Sequence, residues 1–94
     1  MSRLTKRCEG KTGYYVEDTA VTAVDGGFAG EAVERLAAYE NMGEQLVREQ
    51  ERIAGELEQL RIGGKTKTVK FRELMGKKLT NSYVLSLLQA NGLL

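Results

Sequence analysis

The chain contains no histidine, and Cys8 is its only cysteine among 94 residues. Without an imidazole, Ser-His-Asp and Cys-His catalysis are excluded, as are zinc sites that use histidine. One thiol can close no disulfide within the chain and can build no thiolate metal site. With no base to activate it, Cys8 reads as an inert thiol near the N-terminus. Carboxylate-only chemistry remains open, but most acidic residues fall at solvent-facing positions of one helical stretch. No apolar run of about 18 residues occurs, and no signal-peptide pattern is seen. These absences lead us to expect a soluble, cytoplasmic, non-catalytic protein with no metal, no cofactor and no membrane span.

What is present is strongly ordered by charge. Residues 1–30 carry four basic and four acidic side chains and are neutral. Residues 31–61 hold eight Glu against four Arg, a net −4, whereas residues 62–94 hold six Lys and Arg against Glu73 alone, a net +5. The overall charge of +1 therefore hides a compact basic C-terminal segment, which favours an anionic partner without naming it.

Hydrophobic spacing organises the chain around residues 31–61. Leu36, Gly43, Gln50 and Leu57 form one row and Tyr39, Leu46, Ile53 and Leu60 the other, alternating at three and four residues as in a heptad seam. The pattern predicts a long coiled-coil-like helix, with Glu31 and Glu34 suited to the positive end of its dipole. A 94-residue domain buries little surface alone, so a seam of this length predicts a homo-oligomer with Leu36, Tyr39, Leu46, Ile53, Leu57 and Leu60 at the interface. Asn41-Met42-Gly43 is also a helix-stop signal, so a break into two helices is an alternative. The absence of proline and the unbroken apolar phase favour continuity. Gly43 would then permit close approach, and Gln50 would fix register.

On either side the signals are shorter. Residues 1–12 are polar and Gly-punctuated, and a flexible N-terminus is expected. Over 13–27, Tyr14–Glu17 and Ala20–Val24 favour strands, with Asp18-Thr19 between them and Asp25-Gly26-Gly27 closing the stretch. A small β-hairpin follows, which must pack on a helix or a neighbouring subunit; within it Tyr14 and Tyr15 would face opposite ways, one available for the core. Gly63-Gly64 stops the central helix. Beyond it, 65–94 forms a basic unit of two short helices. Thr68 caps the first, which ends at Gly76; Thr80 or Asn81 caps the second, which ends at Asn91-Gly92. Tyr83, Val84, Leu87 and Leu88 make the apolar stripe of the second. Alternation at Thr66, Thr68 and Lys70 also suits a short strand. The fold expected is a single, mostly α domain with one N-terminal hairpin, a long helix and two short C-terminal helices, assembled as an oligomer.

Several segments resemble short proteins encoded by tailed phages and prophages of Gram-positive bacteria. They are Arg3-Leu4-Thr5-Lys6-Arg7, the Tyr14-Tyr15 pair, Glu34-Arg35-Leu36-Ala37-Ala38-Tyr39-Glu40, Thr68-Val69-Lys70-Phe71-Arg72-Glu73-Leu74 and Lys78-Leu79-Thr80-Asn81. The resemblance implies a phage accessory protein of the anti-defence kind. Where such proteins continue with a Thr-Gly turn and a Pro-started helix, Asn41-Met42-Gly43-Glu44 stands here without Pro.

The residues offer three binding chemistries. Gly63-Gly64 followed by Lys65, Thr66, Lys67, Thr68, Lys70 and Arg72 combines exposed N–H groups, hydroxyls and cations that could hold phosphates, although the spacing is not that of a Walker loop. A plain solvated basic face, or one that meets an acidic protein, fits the same residues. Joined to the resemblance, the phosphate reading predicts a sponge that sequesters a cyclic nucleotide immune signal between subunits, with Tyr14, Tyr15 or Tyr83 stacking on a base. The alternative is an inhibitor that binds a host defence protein, as anti-CRISPR proteins do. A helix-turn-helix that offers Asn81, Ser82, Ser86 and Gln89 to DNA is a third. It suffers from the absence of any Lys or Arg beyond Lys78.

Overall fold

The computed structural model describes residues 2–94, and residue 1, the start of the expected flexible segment, lies outside them. The chain is mostly helical and divides into two compact units, Met1–Tyr39 and Glu40–Leu94. Helix α1, Glu31–Ile62, begins in the first unit and ends in the second, and α2, Val69–Ala90, lies wholly in the second. Among the described residues, no helix is long and apolar enough to cross a membrane.

The first unit contains two hairpins rather than one. Strand β1 (Thr5–Arg7) pairs antiparallel with β2 (Tyr14–Val16), with Lys6 opposite Tyr15. Strand β3 (Thr22–Val24) pairs with β4 (Gly27–Ala29) across Asp25-Gly26. The expected pairing of Tyr14–Glu17 with Ala20–Val24 does not form. Asp18–Ala20 is a 3-10 turn instead, held by Ala20 N–H donating to the Glu17 carbonyl at 2.9 Å. Asp-Gly is the stronger hairpin former, because glycine enters the positive-φ region without penalty. The N-terminal segment likewise contributes β1 where a flexible stretch was expected. Gly30 leads into α1 at φ +117°, and a Cβ there would lie 2.7 Å from the Ala20 carbonyl oxygen, so only glycine fits this crossing.

In the second unit α1 and α2 form an antiparallel helical hairpin. Gly43 meets Leu88 and Leu94, Gln50 meets Lys78 and Ser82, and Ile53 and Leu57 pack on Leu74, with Leu60, Phe71 and Met75 closing the cluster. The helix is continuous through Asn41-Gly43, where Gly43 is buried under Leu88 of α2 and Leu94 of the segment that follows α2. At the turn, Lys65 N–H donates to the Leu60 carbonyl at 2.8 Å and Gly64 N–H to Arg61 at 3.1 Å, with Gly64 at φ +70°. This six-to-one, five-to-two pattern is the Schellman stop that the double glycine encodes. The same pattern ends α2, through Leu93 N–H to Leu88 and Gly92 N–H to Gln89.

Two expectations fail here. The C-terminal pair of short helices is one helix of 22 residues, and the short strand at 66–70 does not form. Thr80 does not cap; its hydroxyl donates back to the Gly76 carbonyl at 3.1 Å, inside the helix. Continuity carries Leu74, Asn81 and Leu88 at seven-residue intervals onto one buried side, which outweighs the roughly 1 kcal/mol that a mid-helix glycine costs. The seam is also not left for another subunit to cover. Ile53 is 0% and Leu57 2% exposed within this one chain, so neither can be an oligomer contact. Leu46 and Leu60 are half-buried, and of the six expected interface residues only Leu36 and Tyr39 stay exposed.

Candidate functional site

The basic residues gather at the turn of the helical hairpin. Thr68 is the N-cap of α2; its hydroxyl accepts from Phe71 N–H at 3.2 Å and donates to the Lys65 carbonyl at 2.8 Å, which commits it to the turn. The first N–H groups of α2, on Val69 and Lys70, have no protein acceptor among the described residues. Lys65, Thr66, Lys67, Lys70 and Arg72 are all exposed, and none of these cations joins an ion pair among the described residues. Lys70 and Arg72 nevertheless diverge, because two residues along a helix turn through about 200°. The tip is thus positively charged, and Lys70 and Arg72 do not converge on one point.

A cleft of about 550 Å³ opens beside it, lined by Glu51, Arg52, Gly55, Glu56, Gln59, Leu60 and Lys70. Arg52 is held by Glu56 at 2.5 Å, and Glu51 adds a second carboxylate, so its walls do not favour an anion. Of the residues expected to hold phosphate, Lys70 alone reaches it. Tyr83 stands about 20 Å further along α2, thirteen residues at 1.5 Å each, and does not join that set within one chain.

Tyr14 and Tyr15 belong to the first unit, and both are exposed, at 59% and 48%. Neither serves as a core residue, because the pairing that would have turned one inward is absent. Arg3 stacks on the Tyr14 ring at 5.3 Å and its Nε donates to Thr5. Lys6 and Glu17 form an ion pair across this hairpin. Their hydrogen bond, and then the attraction of the two charges, raises the Lys6 pKa and lowers that of Glu17. Arg35 donates to the Ser2 carbonyl at 2.6 Å, tying the first turns of α1 to the extended N-terminal segment.

Together these elements frame a second cleft, of about 540 Å³ and largely apolar. Leu4, Val16, Ala32, Leu36 and Tyr39 form its walls, and Arg3 and Arg35 stand at its rim. Sequence reasoning missed Leu4, Val16, Ala32, Arg3 and Arg35 as site residues. The available signal was Ala32, Leu36 and Tyr39 on successive turns of one helix, of which Leu36 and Tyr39 were read only as seam and Ala32 was not read at all. The second hairpin of this unit exposes Phe28 at 67% and Val24 at 52%, and Ala20 is the one buried hydrophobic among the unit's described residues.

Among the described residues, no group of His, Cys, Asp and Glu is placed to hold a metal ion. No protein-family model, no curated protein and no solved structure matches the chain.

Proposed function

We propose that this chain is a non-catalytic binding protein of the phage anti-defence kind, and that it acts by docking its N-terminal unit on a protein of the host's defence machinery. The observation that carries the reading is the imbalance in that unit. Among its described residues, Tyr14, Tyr15, Val24, Phe28, Leu36 and Tyr39 are exposed while one small hydrophobic residue, Ala20, is buried. Apolar surface left outward in this proportion marks an interaction site, and isolated two-stranded hairpins are marginal in water without a cover. Tyrosines beside Arg3 and Arg35 also have the composition of interface anchors.

The test is expression of the chain in hosts that carry single defined defence systems, followed by phage plaquing. Plaquing should recover under one system, and the defence protein should co-purify with the chain at stoichiometric ratio. Phe28→Ser and Tyr39→Ser should abolish both while helicity is retained. If no system is relieved, or if relief survives both substitutions, the proposal is wrong.

A second reading rests on a different observation, the unpaired Lys65, Lys67, Lys70 and Arg72 beside two open N–H groups. It is the sponge for a cyclic nucleotide, with phosphates held at the hairpin tip. Isothermal titration with cyclic di- and trinucleotides and cyclic ADP-ribose isomers decides it. Heat that disappears in a Lys67→Glu, Lys70→Glu variant favours the sponge, and no heat from any of them removes it.

A further inference from the structure

Helix α2 is apolar on two opposite sides. Leu74, Asn81 and Leu88 recur every seven residues on the side that packs on α1. At 100° per residue, Val69, Gly76, Leu79, Tyr83 and Leu87 fall on the far side. There Val69 is 62%, Leu79 68%, Tyr83 67% and Leu87 47% exposed. A Cβ built on Gly76 meets nothing within 4 Å, so the middle of this outer stripe is open. The exposed parts of the four large side chains come to roughly 450 Å², the size of the largest apolar patch on a typical monomer, ~300–600 Å², which is often a functional surface.

We propose that this stripe binds a second copy of the chain, with the two α2 helices antiparallel. Three features of the stripe select that occupant and that direction. Arg72 is the one charged residue within it; Glu73 flanks its edge, about 40° beyond Val69 and Leu87, and Lys70, Lys77 and Lys78 project more than about 100° from its centre. Parallel pairing would set Arg72 against the same arginine of the second copy, whereas antiparallel pairing sets it against the exposed ring of Tyr83, a favourable cation–π contact. From Leu79 to Leu94 there is no charged side chain, so the antiparallel pair lays the basic half of each helix on the uncharged half of the other. The sizes also match under a two-fold axis. Positions 69, 72, 76, 79, 83 and 86, read forwards on one helix and backwards on the other, bring Val69 to Ser86, Arg72 to Tyr83 and Gly76 to Leu79. Each pair occurs twice, as an isologous interface requires. The bare backbone at Gly76 receives the leucine and permits close approach of the helices.

The interface differs from the one expected from sequence, because the α1 seam is consumed inside the chain and α2 carries the contact. It does not depend on what the N-terminal unit binds. Sedimentation velocity on the full chain should show a dimer at tens of micromolar. Leu79→Lys should raise the dissociation constant at least about tenfold, because it buries an unpaired charge, with helicity by circular dichroism unchanged. Direction is read in a Cys8→Ser background by oxidising Val69→Cys and Ser86→Cys chains. Mixed together they should cross-link, and each alone should not. A monomer at about 100 μM would leave this face to another partner and overturn the proposal. So would a dimer indifferent to Leu79→Lys, or cross-links of each variant with itself.

Discussion

Gln50 sits at a seam position of α1, half-buried, with its amide turned toward α2. Its Nε2 donates to the Lys78 carbonyl at 3.1 Å and to Ser82 Oγ at 3.0 Å. Its Oε1 is sealed from water with no hydrogen-bond partner. Gln50→Leu removes both bonds, a loss of about 1 kcal/mol each. Neither acceptor is stranded, because the Lys78 carbonyl lies inside α2, where it accepts its own helical N–H, and Ser82 faces water. The same change deletes a buried, unpaired carbonyl that costs about 1–3 kcal/mol, and it adds apolar burial beside Ile53 and Leu57 worth a further ~1 kcal/mol. The balance favours leucine by about 1 kcal/mol, which for a domain of this size raises Tm by roughly 4–8 °C. Gln50→Ala should instead destabilise by about 2 kcal/mol, since the lost bonds are offset by deleting the same carbonyl and the void remains as the net cost. Urea unfolding followed at 222 nm measures both. A Gln50→Leu chain less stable than the parent by 1 kcal/mol or more would refute the reasoning, by showing that the amide specifies how α1 and α2 pair.

Three other outcomes follow from the same helices and the first hairpin. Thr68→Ala removes the cap of α2 and should cost about 1 kcal/mol, with Thr68→Asp recovering most of it in the same urea assay. Gly55→Ala places a methyl group on an exposed helix interior where nothing lies within 4 Å, and it should stabilise by about 0.5–1 kcal/mol. The Lys6–Glu17 pair should hold the first hairpin between about pH 4.5 and pH 10.5. The lowered Glu17 pKa makes its contribution present above the ordinary carboxylate value and lost as pH falls through the folded one. The raised Lys6 pKa makes its contribution complete below the ordinary lysine value and lost as pH rises beyond it. Amide chemical shifts of Lys6 and Tyr15 should report both edges, and 1 M salt should blunt them because the pair is exposed.

Legibility varied with how local each determinant is. The stops at Gly63-Gly64 and Asn91-Gly92 could be read because a Schellman motif is written in a few adjacent residues. The length of α1 could be read from the apolar spacing and the missing proline. The single α2 was obscured by Asn81, a polar residue at the centre of the Leu74–Leu88 register, whose Nδ2 is satisfied by Glu49 of α1 at 3.3 Å. That compensation lies 32 residues away in the chain, and no local window contains it. The hairpins were misassigned because two β-favouring runs were paired across Asp18-Thr19 while Asp25-Gly26 stood next to them. The basic tip was legible in composition. The divergence of Lys70 and Arg72 was not, because the angle between them appears only once 69–90 is one helix.

The two weak members of the seam show why α1 is covered by the chain's own second helix. If a second identical helix covered this face, Gly43 and Gln50 would be defects. A gap and an amide would recur in the same row with nothing to answer them. Against α2 and the C-terminal residues that follow it they are complements. Gly43 receives Leu94, whose Cδ2 would lie 2.9 Å from an added Cβ, and Gln50 receives a carbonyl and a hydroxyl. A row that alternates leucine with a residue too small or too polar for self-pairing points to a partner of different sequence, and in a short chain the nearest such partner is the chain's own next helix. The outer stripe of α2 has the opposite character. Its glycine and its leucine are three residues apart, its arginine and its tyrosine eleven, and all four positions are symmetric about one point. Complementarity to itself, absent from the longer and more regular helix, belongs to the shorter one.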